Sequence, residues 1–277
     1  MVTLKEFLKG KLTEKQISKL KASYDIMGTI AVINSMPTGL KSKEKVIAKA
    51  IMELNKNVKT VAKKIGPTAG KERIRPVKVI LGENKTETFY VENGNRFKFD
   101  INKVYFSPRL GSEHLRVAQQ VKKNETVFDL FAGVGPYVIS AAKREANVIA
   151  VDINKYATRY LELNAGMNKV SDKIKIFTGD CRKIVMKPKF RKRADRVIMN
   201  LPMHAGEFLD VAFYVAKKGA NVHFYCFLHE NDLFEGGIKI IKAAAKKAKR
   251  KIKILNTKRC GQLSSRIWRV AIDFKVL

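Results

Sequence analysis

The sequence predicts an α/β protein: a doubly wound, mostly parallel sheet of seven strands, preceded by a smaller α+β domain. Three observations carry that expectation. From Ser112 onward, short apolar runs alternate with helical stretches, as in a parallel sheet covered on both faces. Before that point the strand-like runs are short and separated by turn residues, which reads as α+β. The chain has 277 residues and 45% hydrophobic composition, enough for one good core with a second, smaller module beside it.

Taken in order, residues 1–20 read as a helix, with Leu4, Phe7, Leu8, Leu12, Ile17 and Leu20 near helical spacing and Gly10 interrupting it. Asp25 to Asn34 is rich in β-branched residues and reads as one strand. Pro37 and Gly39 punctuate the chain before a helix from about Lys43 to Leu54. Val58 to Ile65, Val77 to Leu81, Thr86 to Glu92 and Arg96 to Asp100 follow as short strands, the last two joined through Glu92-Asn93-Gly94-Asn95. The seven strands of the larger domain are expected at Thr126 to Leu130, Asn147 to Asp152, Ile174 to Gly179, Arg196 to Asn200, Asn221 to Phe227, Lys251 to Asn256 and Trp268 to Val276. The boundary falls between about Asp100 and Ser112, giving domains of residues 1–105 and 106–277.

Charge narrows the function. Lys and Arg number 56 against 25 Asp and Glu, a formal net charge of +31 that is self-repulsive unless a polyanion is the working partner. Nucleic acid leads. An anionic membrane surface competes, but apolar runs such as VIAVD and VIMNLP are far shorter than the roughly 20 residues a span needs. High lysine also suits a hot habitat, yet the acids are too few to pair with it. The first 16 residues carry charges throughout and do not read as a secretory signal, so a cytoplasmic protein is expected. Cys181, Cys226 and Cys260 are singletons without CxxC pairing, and His204, His223 and His229 lack metal-like spacing. No disulfide framework and no metal site are indicated.

The strongest local signal is Asp129-Leu130-Phe131-Ala132-Gly133-Val134-Gly135-Pro136, between an expected strand and the expected helix Tyr137 to Arg144. Glycines at such a turn let the backbone approach a ligand at the carboxyl ends of the strands. Asp152 ends the next strand about 20 residues on, where a carboxylate accepts from ribose hydroxyls. NAD would suit it too, but the loop lacks the third glycine of G-x-G-x-x-G and provides poorly for a pyrophosphate. Asp180 ends the following strand and can accept from an adenine amino group. Each acid alone is equally a helix cap or turn residue. Three acids at successive strand ends, with Phe131, Ala132, Gly133, Gly135, Ile153, Cys181 and Asn200 beside them, point to S-adenosylmethionine.

Val104 to Arg116 (VYFSPRLGSEHLR), the DLFAGVGP loop, VDIN at Val151 to Asn154 and MNLP at Met199 to Pro202 occur in that order. Together they resemble the archaeal and eukaryotic tRNA (guanine-37 N1)-methyltransferase family, from about Arg73 to the carboxyl terminus, and the strand IMGTIAVIN looks like the family's middle domain. The resemblance implies a Rossmann-like class I methyltransferase sheet, S-adenosylmethionine as cofactor, the tRNA anticodon loop as partner, an RNA-binding amino-terminal domain and a monomer. Two relatives share the architecture: one transfers an aminocarboxypropyl group in wybutosine synthesis, the other methylates C7 of a tricyclic wyosine precursor at the same tRNA position. Asn200-Leu201-Pro202 favours methyl transfer over the aminocarboxypropyl reaction. An RNA-binding or chaperone protein that keeps the fold without turnover is the reading from another class.

The resemblance assigns Glu113 as the base that removes the guanine N1 proton, where desolvation would raise its pKa towards a useful range. On residue logic alone Ser112-Glu113 is equally the N-cap and first turn of a helix. Arg73 matches the arginine that approaches the base and can donate to O6, or is an ordinary phosphate-binding or solvated arginine. Asn200 presents a donor and an acceptor to a guanine edge, and Pro202 stiffens the segment after it. Arg109, His114 and Arg116 cluster at the expected helix start as a phosphate site. His114 departs from the family's usual Arg, and many members carry a further amino-terminal domain for which little length remains here. The basic runs Lys41 to Lys49, Lys187 to Arg196 and Lys246 to Lys253 are expected to divide between solvated face and RNA surface, and Tyr105 and Phe106 to lie in the core.

Overall fold

The computed structural model describes residues 2–20, 23–66, 70, 74–232 and 234–277. It divides into two compact units, Met1–Pro108 and Arg109–Leu277.

The first unit opens with two short helices, α1 (Leu4–Phe7) and α2 (Glu14–Lys19), where the spacing suggested one. Gly10 has φ +79°, a left-handed conformation that ends the first turn, and Thr3 and Thr13 each cap a helix with a reciprocal capping box. The expected strand from Asp25 to Asn34 is a hairpin, β1 (Tyr24–Met27) and β2 (Ile30–Ile33), turned at Gly28. Gly28 has φ +59°, and a Cβ there would lie 1.9 Å from the Phe89 carbonyl oxygen, so only glycine fits. Helix α3 (Glu44–Leu54) buries Ile47, Ala48, Ala50 and Ile51 and crosses over to β3 (Thr60–Lys64), which runs parallel to β2 and antiparallel to β4 (Val77–Gly82). Leu8, Leu40, Ile47, Ile51 and Val61 centre this core. A separate hairpin, β5 (Glu87–Glu92) and β6 (Asn95–Asp100), turns through Asn93 (φ +50°) and Gly94 (φ +74°). Phe106 stacks on Phe99 at 4.6 Å as expected of a core residue, whereas Tyr105 is exposed.

The second unit is the seven-stranded sheet. In chain order it contains α4 (Gly111–Gln120), β7 (Thr126–Asp129), α5 (Pro136–Ala142), β8 (Asn147–Asp152), α6 (Lys155–Met167), β9 (Ile174–Thr178), α7 (Cys181–Val185), β10 (Ala194–Met199), α8 (Leu209–Val215), β11 (Ala216–His229), α9 (Glu235–Lys247), β12 (Ile252–Ser264) and β13 (Ile267–Val276). The strand order is β12-β13-β11-β10-β7-β8-β9. Pairs from β9 to β11 are parallel, and β13 is antiparallel to both neighbours. The sheet begins at β7 and is wound outward in both directions, so the reversal between β7 and β10 opens a crevice at their carboxyl ends. Phe128, Val197, Phe224, Ile272 and Phe274 anchor the core.

The hairpin of β12 and β13 is longer than expected. β12 continues eight residues past Asn256, with register irregularities between Ile254 and Asn256, Arg259 and Gly261, and Gln262 and Ser264. Each irregularity breaks the two-residue alternation, and the strand lies at the sheet edge with mostly polar residues, so no apolar run marks it.

Candidate cofactor crevice and buried charge network

The loop after β7 is held between its neighbours by backbone bonds: Leu130 N–H donates to Ile198 O (3.1 Å) and Ala132 N–H to Val151 O (2.9 Å). Gly133 (φ +54°) and Gly135 (φ +95°) supply the turn. They differ in surroundings. A Cβ on Gly135 would meet Leu161 Cδ1 at 2.2 Å, whereas one on Gly133 would meet nothing within 4 Å. Gly135 therefore lets α5 pack on α6, and Gly133 leaves open space at the strand ends.

Asp152 fixes this loop. Its Oδ2 accepts from Gly133 N–H (2.7 Å) and its Oδ1 from Asn154 N–H (2.8 Å). Asn154 in turn caps α6 through Tyr156 N–H, and Asp180 caps α7 through Arg182 N–H (2.8 Å). The cap reading holds at Asp180. Cys181 beside it is buried, and burial pushes its thiol up to about 12, so it is an inert wall. Ala132 is buried, Phe131 packs edge-on against Phe208 at 5.2 Å, and Ile153 is exposed beside Asp152.

Two buried oxygens in this crevice have no hydrogen-bond partner among the described residues: Oδ2 of Asp129 and Oδ1 of Asn200. The strand register pairs Asp129 with Ile198, two residues before Asn200, so both acceptors sit at the ends of adjacent strands. Asp129 is fully buried, its Oδ1 accepts only from Phe131 N–H at 3.2 Å, and its carboxyl is pushed up to about 7, chiefly by burial. An amino-acid ammonium, which brings donors and a positive charge, is the complement such a pair lacks. These residues therefore fit S-adenosylmethionine: Asp129 and Asn200 for its ammonium, Gly133 for close approach, Asp152 for the ribose. Pro202 follows Asn200 into a turn in which Leu201 O accepts from His204 and Ala205 N–H.

Ser112 is not the N-cap: helix α4 begins at Gly111, with Leu110 as its uncapped N-cap residue. Glu113 does lie in the first turn, but it turns inward to 1% exposure. Its Oε1 accepts from Tyr225 Oη (2.7 Å) and Arg116 Nη2 (2.6 Å), its Oε2 from Arg116 Nε (2.8 Å), and Lys258 Nζ lies 3.4 Å from Oε2. Burial alone would raise its pKa, but Arg116, Tyr225 and Lys258 together outweigh it and hold the carboxylate below its ordinary value. The shift is opposite to the one expected from desolvation.

The phosphate site expected from Arg109, His114 and Arg116 is corrected at two of its three members. His114 is 2% exposed, with its ring edge-on to Tyr137 at 4.6 Å. Arg116 gives its guanidinium to two carboxylates, Glu113 and Asp273. Only Arg109 is exposed. Arg73 lies outside the described residues.

Behind Arg116 the ionic chain continues. Arg116 Nη2 donates to Asp273 Oδ1 (3.2 Å), and Asp273 Oδ1 lies 2.7 Å from His223 Nδ1. His223 Nε2 lies 2.7 Å from Arg196 Nη1, and Arg196 grips both oxygens of Glu125 (3.2 and 3.1 Å) and donates to Gln120 O (2.7 Å). None of Arg196, His223, Tyr225 and Asp273 stands out in the sequence by motif. The available signal is the alternation in β11, where His223 and Tyr225 share one face within the largely apolar run Val222 to Leu228.

Comparison with known proteins places this geometry. The model for the TRM5/TYW2 methyltransferase domain matches residues 88–255, and that for the TYW2 N-terminal domain matches residues 4–86. The tRNA (guanine(37)-N(1))-methyltransferase Trm5b of Pyrococcus abyssi is 43% identical over 257 residues, which cover 93% of this chain and 76% of that protein. The solved complex of aTrm5 with tRNALeu superposes with a TM-score of 0.87 at 31% identity, covering 100% of this chain and 78% of that one. The Pyrococcus horikoshii TYW2 structure in complex with MeSAdo gives 0.81 at 27% identity, covering 99% and 98%. Among the described residues no helix is long and apolar enough to cross a membrane, and no group of His, Cys, Asp and Glu is arranged to hold a metal ion.

Proposed function

The chain belongs to the TRM5/TYW2 methyltransferase family, and from that premise we propose that it transfers a methyl group from S-adenosylmethionine to N1 of guanosine 37 in tRNA, acting as a monomer in the cytoplasm. The observation that carries the cofactor half of this reading is the pair of unpartnered buried oxygens on Asp129 and Asn200, beside the open face of Gly133. Bound S-adenosylmethionine supplies an electrophilic methyl group. The rest of the chemistry falls to side chains.

Guanine N1 carries a proton at neutral pH, so a base must remove it while charge builds on O6. Glu113 is the base in this reading. Its carboxylate is ionised throughout the neutral range because Arg116, Tyr225 and Lys258 hold its pKa low, and one of these donors must yield for the N1 proton to reach an oxygen. Water excluded by the bound base then strengthens the pull of the carboxylate on that proton. Asn200 orients the guanine edge, Pro202 limits its movement, and Arg73 donates to O6. The net charge of +31 fits the tRNA anticodon arm as substrate, with Arg109 and the amino-terminal unit contributing phosphate contacts.

The match of residues 4–86 to the TYW2 N-terminal domain favours a second reading, aminocarboxypropyl transfer from the same cofactor. The 43% identity to Trm5b against 27% to TYW2 weighs for methyl transfer. C7 methylation of the tricyclic precursor at the same position uses the same site. Incubation with labelled cofactor and unmodified tRNA, followed by nucleoside mass spectrometry, separates all three by product. Methyl transfer that persists when guanosine 37 is replaced would overturn the assignment. Glu113→Gln is expected to slow single-turnover transfer by about 10²- to 10⁴-fold while leaving cofactor affinity nearly unchanged; collapse of cofactor binding instead would make Glu113 structural.

A further inference from the structure

The charge chain behind Glu113 has features that packing alone does not require. Six groups, Glu113, Arg116, Asp273, His223, Arg196 and Glu125, are joined end to end by hydrogen bonds through the interior of the second unit. Arg196 is 1% exposed, His223 fully buried and Asp273 3% exposed. Burying so many ionisable groups is costly, and apolar residues of the same volume would serve packing as well or better.

The bonding pattern fixes a single protonation state. Arginine is always a donor, so His223 Nε2 must accept from Arg196, and its Nδ1–H must therefore donate to Asp273. His223 is a neutral imidazole in one tautomer; burial, which lowers its pKa, favours the same state. Asp273 receives donors from His223 on one side and Arg116 on the other, which leaves it ionised and immobile. Arg116 is then bound between two carboxylates, and its fork cannot rotate away from Glu113.

From this geometry we infer that Asp273, held by His223 and Arg196, is a positioning residue for the transfer reaction: it fixes the Arg116 guanidinium and offsets its charge, so that Glu113 is both aimed and kept more basic than a lone Glu–Arg pair would be. The inference rests on the reading of Glu113 as the base. Other groups face Glu113: Tyr225 on β11 and Lys258 on β12 directly, with Cys260 on β12 and Tyr137 on α5 within electrostatic reach. Tyr137 and Cys260 are both held protonated by burial, so Arg116 and Lys258 are the positive charges acting on Glu113, and Asp273 is the negative charge bonded to one of them.

Removal of the Asp273 charge leaves Arg116 acting on Glu113 alone. The pKa of Glu113 then falls further, the carboxylate becomes a weaker base, and the acid limb of the rate profile moves to lower pH while the plateau drops. Asp273→Asn preserves shape and keeps one oxygen for His223 Nδ1–H and Arg116 Nη2, while its NH2 takes the place of the oxygen that accepts from Arg116 Nη1. In single-turnover methyl transfer to unmodified tRNA, at saturating tRNA and S-adenosylmethionine, the plateau rate is expected to fall about tenfold, with the acid limb displaced downward and the tRNA and cofactor affinities changed less than twofold. Arg116→Lys keeps the charge but cannot hold two carboxylates in one fork, and is expected to lower the plateau comparably; it provides the readout if Asp273→Asn does not fold. Glu113→Gln is measured in parallel. A Glu113→Gln enzyme with the wild-type rate would sink the reading of Glu113 as base, and the positioning role with it. A slow Glu113→Gln enzyme beside a folded Asp273→Asn enzyme with unchanged plateau and unchanged acid limb would overturn the positioning role alone and leave Asp273 a stabilising residue.

Discussion

Asp129 and Asp273 both lie on strands of the seven-stranded sheet, and both are almost fully buried. Burial pushes the Asp129 carboxyl up to about 7, because only one backbone N–H answers it. Burial works on Asp273 in the same direction, but bonds from His223 and Arg116 overcome it and hold that carboxyl below the usual carboxylate range. The difference lies in whether the protein supplies the counter-group. At the crevice the protein leaves Asp129 and Asn200 short of donors, which leaves room for a ligand to supply the complement, whereas beneath α4 every charge is answered internally and ligand binding is not needed to set it.

The largest test of that contrast is Arg196→Met. It removes the guanidinium that links Glu125 to His223, leaving the Glu125 carboxylate only the Lys122 N–H and a buried imidazole nitrogen no donor. Breaking one member out of a buried ion pair costs about 3–5 kcal/mol, and a loss of this size is expected in urea unfolding at neutral pH. A loss under about 1 kcal/mol would mean that the network relaxes around the gap, as no tightly coupled chain should.

Asp129→Asn probes the other side, and its two effects have opposite signs. Cofactor affinity, by calorimetry, is expected to fall by about 10- to 100-fold through loss of a charge-assisted contact. Stability of the ligand-free protein is expected to rise. The folded-state pKa of Asp129 lies above the unfolded value near 3.8, so the folded state binds its proton more tightly. The destabilisation is absent at pH below about 4, grows as the carboxyl is forced to ionise, and is complete above about 7, where the amide would recover up to about 4 kcal/mol. A variant whose unfolding midpoint differs from wild type by the same amount at pH 4 and pH 8 would contradict this account.

The same contrast explains what the sequence discloses. Asp129, Gly133, Gly135 and Asp152 line the candidate cofactor crevice within one strand-turn-helix unit and the end of the next strand, so their spacing along the chain carries their meaning. The network is assembled across α4, β10, β11 and β13 by bonds that reach up to 157 positions along the chain, and nothing local marks Asp273 as the partner of Arg116. Arg116 illustrates the consequence: a cation at an expected helix start reads as a phosphate ligand until the distant carboxylate that neutralises it is known. The strands β7 and β8 are legible because parallel strands inside the sheet are written as near-continuous apolar runs, whereas β12 is an edge strand whose bulges erase any such run. Gly28 hid the hairpin of β1 and β2 inside a continuous apolar stretch, since the close approach of Phe89 that demands glycine there comes from more than 60 residues away.

The smallest expected effect sharpens the comparison from outside. Lys123 Nζ and Glu145 form an ion pair at 2.6 Å, a separation like that of Arg116 and Glu113, but both side chains are more than half exposed. Water already solvates each charge there, so pairing replaces hydration that was never lost, and dissolved salt screens what remains. Lys123→Ala is therefore expected to leave the urea midpoint unchanged within replicate scatter at 0.15 M salt, in contrast to Arg196→Met. If the two variants lost comparable stability, pairing itself rather than burial would be the source of the network's strength, and the difference drawn between Asp129 and Asp273 would have to be credited to the number of partners alone.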